Sequence, residues 1–131
     1  MKIIITGGLG FVGSHLAEKL LKKNHVVILT KSLSKINNVN GFKNNLIIEK
    51  VNLNNFSKTE KVLKKHKADI IIHLAGITSH SQSFDSPLLD VDSNSKSTLF
   101  LLEYIRQHNP KCSLILGSIH CNWPSKKITC K

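Results

Sequence analysis

The chain opens with Lys2-Ile3-Ile4-Ile5-Thr6, followed at once by Gly7-Gly8-Leu9-Gly10-Phe11-Val12-Gly13. The first five residues form a β-branched apolar run, which is typical of a strand buried on both faces. After the glycines the period changes, because Val12, Leu16, Leu20 and Leu21 recur at helical spacing. The glycines therefore lie in the turn between a buried strand and an amphipathic helix whose inner face includes Val12.

Gly7, Gly10 and Gly13 each suit this turn for a different physical reason. Gly7 permits a sharp turn off the strand, Gly10 lets the backbone approach a pyrophosphate, and Gly13 lets the helix pack closely on the sheet. The helix N-terminus adds free N–H groups and the positive end of the helix dipole. The motif therefore predicts a dinucleotide site, and the alternative is a purely structural strand-to-helix turn.

Strands and helices continue to alternate after this unit. Further buried strands are predicted at residues 26–29, 45–51, 68–74 and 113–116. Further helices are predicted at 56–66 and from Pro87 to about His108, the second on an apolar face of Leu88, Val91, Leu99, Leu102 and Ile105. Residues 32–45 and 78–86 are predicted loops, the first with at most one helical turn. This alternation predicts an α/β, doubly wound parallel sheet of strand order 3-2-1-4-5.

The composition indicates one globular domain. The chain has 131 residues, of which 40% are hydrophobic, and this is enough to form a single core. No apolar run approaches the ~20 residues of a membrane-spanning helix, and the start of the chain does not match a secretory signal. We therefore expect a cytoplasmic protein with no membrane partner. The cysteines are too widely spaced for a disulfide framework or a zinc site, and we interpret them as reduced thiols.

The net charge of +11 is compatible with a nucleic-acid partner. However, Arg106 is the only arginine among the 19 basic residues, and the lysines are spread along the chain rather than gathered in one stripe. The charge therefore favours a solvated basic surface over a specific nucleic-acid site. The histidines outside residues 73–76 have no paired spacing with carboxylates or cysteines, so we predict surface or loop positions for them and no metal site. These histidines are His15, His25, His66, His80, His108 and His120.

Four motifs follow one another along the chain: Thr6–Gly13, His73-Leu74-Ala75-Gly76, Pro87–Asn94 and Leu116-Gly117-Ser118. In this order they resemble the motifs of the NAD-dependent epimerase/dehydratases, extended short-chain dehydrogenases that act on nucleotide sugars. The resemblance implies that the second motif lines the cofactor with its backbone, that the third holds an Asn that braces the sheet, and that the fourth presents a catalytic Ser or Thr. It covers residues 1–118, which we interpret as a Rossmann-like NAD(P)-binding domain.

The resemblance implies NAD or NADP as the cofactor. The residues that it assigns to cofactor binding are Gly7, Gly10, Phe11, Val12, Gly13, Thr30, Lys31, Ser32, Asn52, Leu53, Leu74, Ala75 and Gly76. Family members that use NAD usually carry an acidic residue at the end of the second strand, where this chain has Thr30-Lys31-Ser32. Lys31, Ser32 and Lys35 could pair a 2′-phosphate and so favour NADP, or they form a solvated lysine-rich loop. Asn52 either accepts a hydrogen bond from the adenine amino group or caps the turn before Phe56.

The resemblance also implies a catalytic Tyr that acts as general base on a sugar hydroxyl, a Lys four residues later that holds it ready, and a Ser or Thr that hydrogen-bonds the same oxygen. Ser118 matches the Ser position and is the candidate catalytic residue. The only Tyr is Tyr104, inside a predicted helix, and the residue four positions later is His108. The chain therefore lacks the Tyr–Lys pair, and Ser118 is equally compatible with a polar turn residue.

We expect residues 119–131 to form an irregular tail that departs from the family. The resemblance implies that longer members supply the Tyr, the Lys and the sugar-binding lobe beyond this point. We therefore interpret the chain as the NAD(P)-binding N-terminal portion of a nucleotide-sugar epimerase or dehydratase, cut short by a frameshift or truncation and inactive alone. A nucleotide sugar would be a partner only of a full-length form, and uncovered apolar surface predicts self-association. The alternative is a non-catalytic NAD(P)-binding module or subunit.

Overall fold

A parallel β-sheet forms the centre of the protein, and the computed structural model describes residues 1–77, 81 and 85–117 of the chain. The strands within these residues are β1 (Lys2–Thr6), β2 (His25–Thr30), β3 (Ile47–Lys50), β4 (Ile70–His73) and β5 (Ser113–Leu116). Their order across the sheet is β3-β2-β1-β4-β5, which confirms the predicted doubly wound topology. Along the chain, β2 and β3 are therefore added on one side of β1, and β4 and β5 are then added on the other side.

Helices follow the strands, as the alternation of periods predicts. The helices are α1 (Phe11–Leu21), α2 (Phe56–His66), α3 (Pro87–Val91) and α4 (Ser97–His108). A π-helical segment, Asp92–Lys96, joins α3 to α4 without a break in the helical backbone. The connection between β2 and β3 contains two short 3-10 helices, Ile36–Val39 and Lys43–Asn45.

Two apolar layers hold the sheet and the helices together. Successive side chains of a strand point to opposite faces of the sheet. On one face, residues such as Ile5 pack with Ala17 of α1. On the other face, residues such as Ile4 pack with Leu63 of α2 and Leu101 of α4. Because helices cover both faces, the interior positions of the central strands β1 and β2 are all apolar, at Ile3–Ile5 and at Val26–Leu29.

α1 packs on the sheet through small residues rather than through its first large apolar side chain. Its buried residues are Gly13, Ser14 and Ala17. Val12, which the apolar spacing assigns to the inner face, is 62% exposed, so that prediction is wrong. The spacing misleads because a helix that approaches a sheet closely buries small side chains, whereas Val12 lies in the first turn at the open edge of the sheet.

The helix predicted from Pro87 to about His108 is confirmed, but most of its predicted inner face is wrong. Of the apolar residues assigned to that face, only Ile105 packs against the core, whereas Leu88, Val91, Leu99 and Leu102 are exposed. The residues of α4 that are buried are Ser97, Leu101 and Tyr104. The difference arises within α4, because steps of three residues drift around the helix axis and leave Leu99 about 120° from Ile105. Ser97, Leu101 and Tyr104 stay together on one face instead.

Both predicted loops contain helical residues. Segment 32–45 has two 3-10 helices instead of at most one helical turn, because the fully buried Val39 anchors it to the α1 side of the core. Ile36 and Phe42 pack against the same core. Together with Val39 they recur every three residues, the period of a 3-10 helix, and the sequence analysis missed this signal. In segment 78–86, Ser81 and Asp85 are helical, so the loop prediction is wrong at these residues. Phe84 is the only apolar residue in the sequence of this segment, so the sequence offers no apolar face from which a helix could be predicted.

His66 is buried, contrary to the predicted surface position. It lies in the last turn of α2, and its Nε2 is 2.8 Å from Oε1 of Glu49 on β3. The Lys65 ammonium donates to the same oxygen at 2.8 Å, and these two partners hold the pKa of Glu49 below its usual value. His108 is exposed as predicted, but its Nε2 also meets a carboxylate, Glu60, at 3.0 Å. Sequence spacing misses both pairs because their members come together only in the fold.

Several sequence predictions fall outside the described residues. They concern the candidate catalytic Ser118, the tail 119–131 with Cys121 and Cys130, and the histidines His80 and His120. Cys112 is described, and it is a free, buried thiol. Among the helices that the structure describes, none is long and apolar enough to cross a membrane.

We expect Leu101→Ala and Leu99→Ala, two substitutions on the same helix, to differ sharply in their effect on stability. Leu101 is fully buried, so its truncation leaves a cavity and should lower the free energy of unfolding by about 2–5 kcal/mol. Leu99 is 66% exposed, and its truncation should change that free energy by no more than about 0.5 kcal/mol. Urea denaturation of both variants beside the parent chain measures the difference. Equal effects would contradict the inner face assigned to α4.

Candidate functional site

A cleft of about 350 Å³ opens at the carboxyl ends of β1, β2, β3 and β4. The segments that follow these strands form its walls, and residues of α3 and the π-helical segment close one side. β2 and β3 lie on one side of β1, and β4 and β5 lie on the other. The cleft therefore lies where the strand order reverses, which is the usual position of ligands in doubly wound sheets.

Glycines form the turn between β1 and α1 because the backbone leaves no room for a side chain. Gly7 has a φ of +69°, and a Cβ placed on it would lie 2.8 Å from the backbone nitrogen of Ala75. A Cβ on Gly13 would lie 2.6 Å from the carbonyl oxygen of Gly7. Contacts this short are forbidden, so the turn can bring α1 and the segment after β4 together only with glycine at both positions.

Gly10 is the N-cap residue of α1, and it lines the cleft. Gly10 has an extended backbone and no side chain to cap the helix, and the first turn contains no acidic residue. The Ser14 hydroxyl turns back to the carbonyl oxygen of Phe11 rather than to the N-terminus. The first N–H groups of α1 are therefore available to an anion in the cleft, and the helix dipole favours one there.

The segment after β2 places hydroxyl and ammonium groups on the cleft. The Thr30 hydroxyl donates to the carbonyl oxygen of Ser32 at 2.7 Å, which folds the chain into a tight turn. The Ser32 hydroxyl donates to the Ser34 oxygen at 3.1 Å. Lys31 and Lys35 complete this wall. The wall therefore combines hydroxyl groups with positive charge.

The segment after β3 is shaped by two asparagines with different tasks. Oδ1 of Asn52 accepts from the backbone N–H of Asn54 at 3.1 Å and so stabilises the turn that leads into α2. Asn55 caps α2, because its Oδ1 accepts from the N–H of Lys58 at 3.1 Å. Asn52 thus stabilises the turn before Phe56, one of its two predicted roles, while the helix cap itself is Asn55.

Asn94, in the π-helical segment, braces the strand end that follows β4. Its Oδ1 accepts from the N–H of Ile77 at 2.8 Å, and its Nδ2 donates to the Ile77 carbonyl oxygen at 3.2 Å. A Cβ on Gly76 would lie 2.6 Å from the same Oδ1. Glycine at position 76 therefore lets the helical segment close on the strand end, and the bracing Asn that the resemblance implies is present.

A buried chain of hydrogen bonds joins β1, β4 and α4 directly behind the cleft. Oγ1 of Thr6 lies 2.6 Å from Nδ1 of His73, and Nε2 of His73 lies 3.2 Å from Oγ of Ser97. All three side chains are at most 1% exposed. Thr6 and His73 immediately precede the cleft segments Gly7–Gly10 and Leu74–Gly76, so this chain of bonds fixes the spacing of two walls.

The partners of His73 determine its protonation state. The Ser97 hydroxyl donates to the Ser93 carbonyl oxygen at 2.7 Å, so its oxygen must accept from Nε2–H of His73. Nδ1 then accepts from the Thr6 hydroxyl, whose oxygen in turn accepts from the N–H of Ala75 at 3.2 Å. Every group is satisfied when His73 is neutral with its proton on Nε2. Burial lowers the pKa of His73, which favours the same form.

The structure brings most of the predicted binding residues together on the cleft. Those that line it are Gly7, Gly10, Thr30, Lys31, Ser32, Asn52, Leu53, Leu74, Ala75 and Gly76. Phe11, Val12 and Gly13 form the first turn of α1 beside it, and Ser118 lies outside the described residues. Lining residues that the sequence analysis missed are Leu9, Leu29, Ser34, Val51, Asn54, Ile77, Leu89 and Ser93. Apart from Leu89 and Ser93, these lie close to predicted strand ends or the glycine turn, which is the signal that could have found them.

The family of the chain follows from comparison with known proteins. The model of the NAD dependent epimerase/dehydratase family matches residues 3–128. The chain belongs to this family. The match reaches beyond residue 118 and includes most of the segment 119–131, which the sequence analysis set apart from the family.

Three members of the epimerase/dehydratase family illustrate the similarity. CDP-paratose 2-epimerase of Salmonella typhi is 33% identical over 123 residues, which cover 90% of this chain and 36% of that protein. dTDP-D-glucose 4,6-dehydratase of Dictyostelium discoideum is 36% identical over 117 residues, which cover 84% of this chain and 27% of that protein. The structure of UDP-glucose 4-epimerase of Thermus thermophilus in complex with NAD shares 32% identity and a TM-score of 0.72, over 82% of this chain and 34% of that one. This chain thus spans about a third of such relatives and corresponds to their N-terminal part.

We expect His73 to make the protein sensitive to mild acid. Because burial lowers its pKa in the folded state, the unfolded chain takes up a proton first as the pH falls below the ordinary value of 6.5. Stability should therefore be insensitive to this group above pH 7 and fall with a slope of at most about 1.4 kcal/mol per pH unit below about pH 6.5. Urea midpoints measured between pH 5 and 8 report the slope.

His73→Asn isolates this contribution, because Asn keeps an acceptor for the Thr6 hydroxyl but does not titrate. The variant should be less stable at pH 8, since it loses the bond to Ser97 and leaves a small cavity. Its midpoint should fall less than that of the parent chain between pH 7 and pH 5. Parallel pH profiles for the two proteins would show that His73 does not cause the acid sensitivity.

Proposed function

We propose that this chain forms the NAD(P)-binding part of a nucleotide-sugar epimerase or dehydratase. The observation that carries the proposal is the uncapped N-terminus of α1, which begins on the cleft at the reversal of strand order. A pyrophosphate fits this position, because free N–H groups and the helix dipole stabilise its charge. Membership of the family and the NAD bound by the similar Thermus thermophilus enzyme support the same ligand.

The layout of the cleft suggests where each part of the cofactor lies. β2 and β3 lie on one side of β1, and β4 lies on the other side. A dinucleotide centred on the glycine turn therefore extends over the ends of the strands on both sides. We assign the pyrophosphate to Gly7, Gly10 and the first turn, Phe11, Val12 and Gly13. We assign the adenosine half to the ends of β2 and β3, at Thr30, Lys31, Ser32, Asn52 and Leu53. Leu74, Ala75 and Gly76 then line the nicotinamide half.

The bound cofactor would supply hydride transfer, and the protein would supply position and proton transfer. In this proposal Ser118 hydrogen-bonds the reacting sugar oxygen. The general base cannot be Tyr104, because this residue is buried in α4, does not line the cleft, and has its pKa raised by burial. We therefore propose that these 131 residues bind the cofactor but turn over a nucleotide sugar only together with a Tyr–Lys pair that they do not contain.

A non-catalytic NAD(P)-binding module is the second candidate. It is favoured by one observation: the sequence has no Tyr followed four residues later by Lys. The DNA beyond the codon for residue 131 distinguishes the two candidates, since only an enzyme portion requires a downstream Tyr-x-x-x-Lys in some reading frame. Self-association through exposed apolar residues such as Leu99 and Leu102, and a cytoplasmic location, stay predictions under either candidate.

NAD or NADP should raise the melting temperature of the chain, because a ligand that binds only the folded state stabilises it by mass action. At a concentration of 100 times the dissociation constant the gain is about 2.7 kcal/mol. Gly10→Asp should abolish this gain. The extended backbone of Gly10 suits an N-cap, so the new carboxylate should cap α1 while repelling the pyrophosphate. A Cβ at this position would lie 3.1 Å from the carbonyl oxygen of Gly7, so the glycine turn must shift slightly to hold it.

Gly10→Asn is the matched control, because it supplies the same cap without the charge. Both variants carry the same Cβ, 3.1 Å from the carbonyl oxygen of Gly7, and the same kind of cap, so their melting temperatures should be similar when no ligand is present. The asparagine variant should keep part of the cofactor-induced shift, since only competition for the N–H groups remains. A full shift in Gly10→Asp, or no shift in the parent chain with either cofactor, would contradict the proposed site.

A further inference from the structure

We propose that the cleft discriminates in favour of NADP, and that Lys31 and Lys35 recognise the 2′-phosphate of its adenosine ribose. The inference rests on the proposed function, because it concerns the ligand of the same cleft. It chooses between the two roles that the sequence leaves open for the segment after β2.

The first observation is the charge of the wall that follows β2. Lys31 and Lys35 both line the cleft, and no Asp or Glu is found among the described residues that line it. Neither lysine forms an ion pair with a carboxylate in the described part of the chain. Two uncompensated ammonium groups on one wall attract an additional phosphate far more strongly than a neutral ribose diol.

The second observation concerns the group that would bind the ribose of NAD. A ribose diol donates hydrogen bonds, so NAD sites of this fold place a carboxylate near the end of the second strand. Here that position is Thr30, whose hydroxyl proton is already donated to the Ser32 carbonyl oxygen at 2.7 Å. Thr30 therefore brings neither a negative charge nor a strong acceptor to the diol.

The third observation is that the carboxylate of Glu49, on the strand beside β2, is already paired with residues of α2. Glu49 of β3 lies beside Leu29 of β2 in the parallel register, one residue before the strand end. Its Oε1 is held at 2.8 Å by both Lys65 and His66 of α2, on the helix-covered face of the sheet. Lys50, the register partner of Thr30, adds a further positive charge beside the strand end instead.

The fourth observation is a pair of hydroxyl groups that suits phosphate oxygens. The Ser32 hydroxyl donates to the Ser34 oxygen at 3.1 Å and accepts from the Ser34 N–H at 3.2 Å. This leaves the Ser34 hydroxyl proton without an acceptor among the described residues, on a residue that lines the cleft. A phosphate oxygen between Ser34 and the two lysines would accept one neutral and two charge-assisted hydrogen bonds.

Isothermal titration calorimetry of the full chain with NADP and with NAD tests this inference. We expect the dissociation constant for NADP to be lower than that for NAD by about tenfold or more. The double variant Lys31→Ser/Lys35→Ser should bring the ratio of the two constants close to one. The preference of the parent chain should also weaken as salt is raised, because it rests on partly exposed charges.

The double variant Lys22→Ser/Lys23→Ser is the matched control, because it removes the same charge from exposed positions after the far end of α1. These residues lie about 18 Å or more along the helix axis from Gly10, and the control should keep the NADP preference. Equal affinity of the parent chain for NAD and NADP would overturn the inference and leave the proposed function standing. An equal loss of preference in both double variants would also overturn it, by showing a general effect of net charge. Failure of both cofactors to bind would overturn the proposed function itself.

Discussion

The hydrogen bond between Thr6 and His73 is the contact on which the geometry of the cleft depends. It joins the carboxyl ends of β1 and β4, the two strands between which the order of the sheet reverses. The glycine turn follows Thr6 at the end of β1, and the Leu74–Gly76 segment follows His73 at the end of β4. The N–H of Ala75 donates to the same Thr6 oxygen. One buried hydroxyl group therefore holds both walls of the cleft in position. Ser97 connects this point to α4 and thereby to the core.

Close backbone approach is the second constraint, and it acts together with the first. Gly7 passes the backbone of Ala75, Gly13 passes that of Gly7, and Gly76 passes the side chain of Asn94, each at a distance that excludes a Cβ. The buried polar contacts set the direction of the walls, and the missing side chains allow the walls to meet. The cleft is therefore shaped mainly by backbone, which is why its N–H groups remain available to an anion.

The sheet could be predicted because its determinants are local. β1 and β5 have the predicted bounds, since apolar runs ended by glycine or proline signals mark them directly. The inner face of α4 could not be predicted, because Leu99, Leu101 and Leu102 place apolar side chains on different sides of the helix. A polar residue, Ser97, lies on the buried side. Most cleft residues were found through the family motifs. The contacts of His73 with Thr6 and Ser97 span 67 and 24 residues, and the only local trace is a polar residue ending each of two apolar strands.

The π-helical segment Asp92–Lys96 also separates two parts of one long helix, of which the first lines the cleft and the second packs in the core. Leu89 and Ser93 belong to the cleft wall, whereas Leu101 and Tyr104 belong to the core. Each residue of an α-helix turns the chain by about 100°, so the angle between wall and core is set by how many residues this segment contains. Deleting one of them would restore regular winding and swing Leu89 around the helix axis. The geometry of this side of the cleft is thus encoded in chain length rather than in side-chain chemistry.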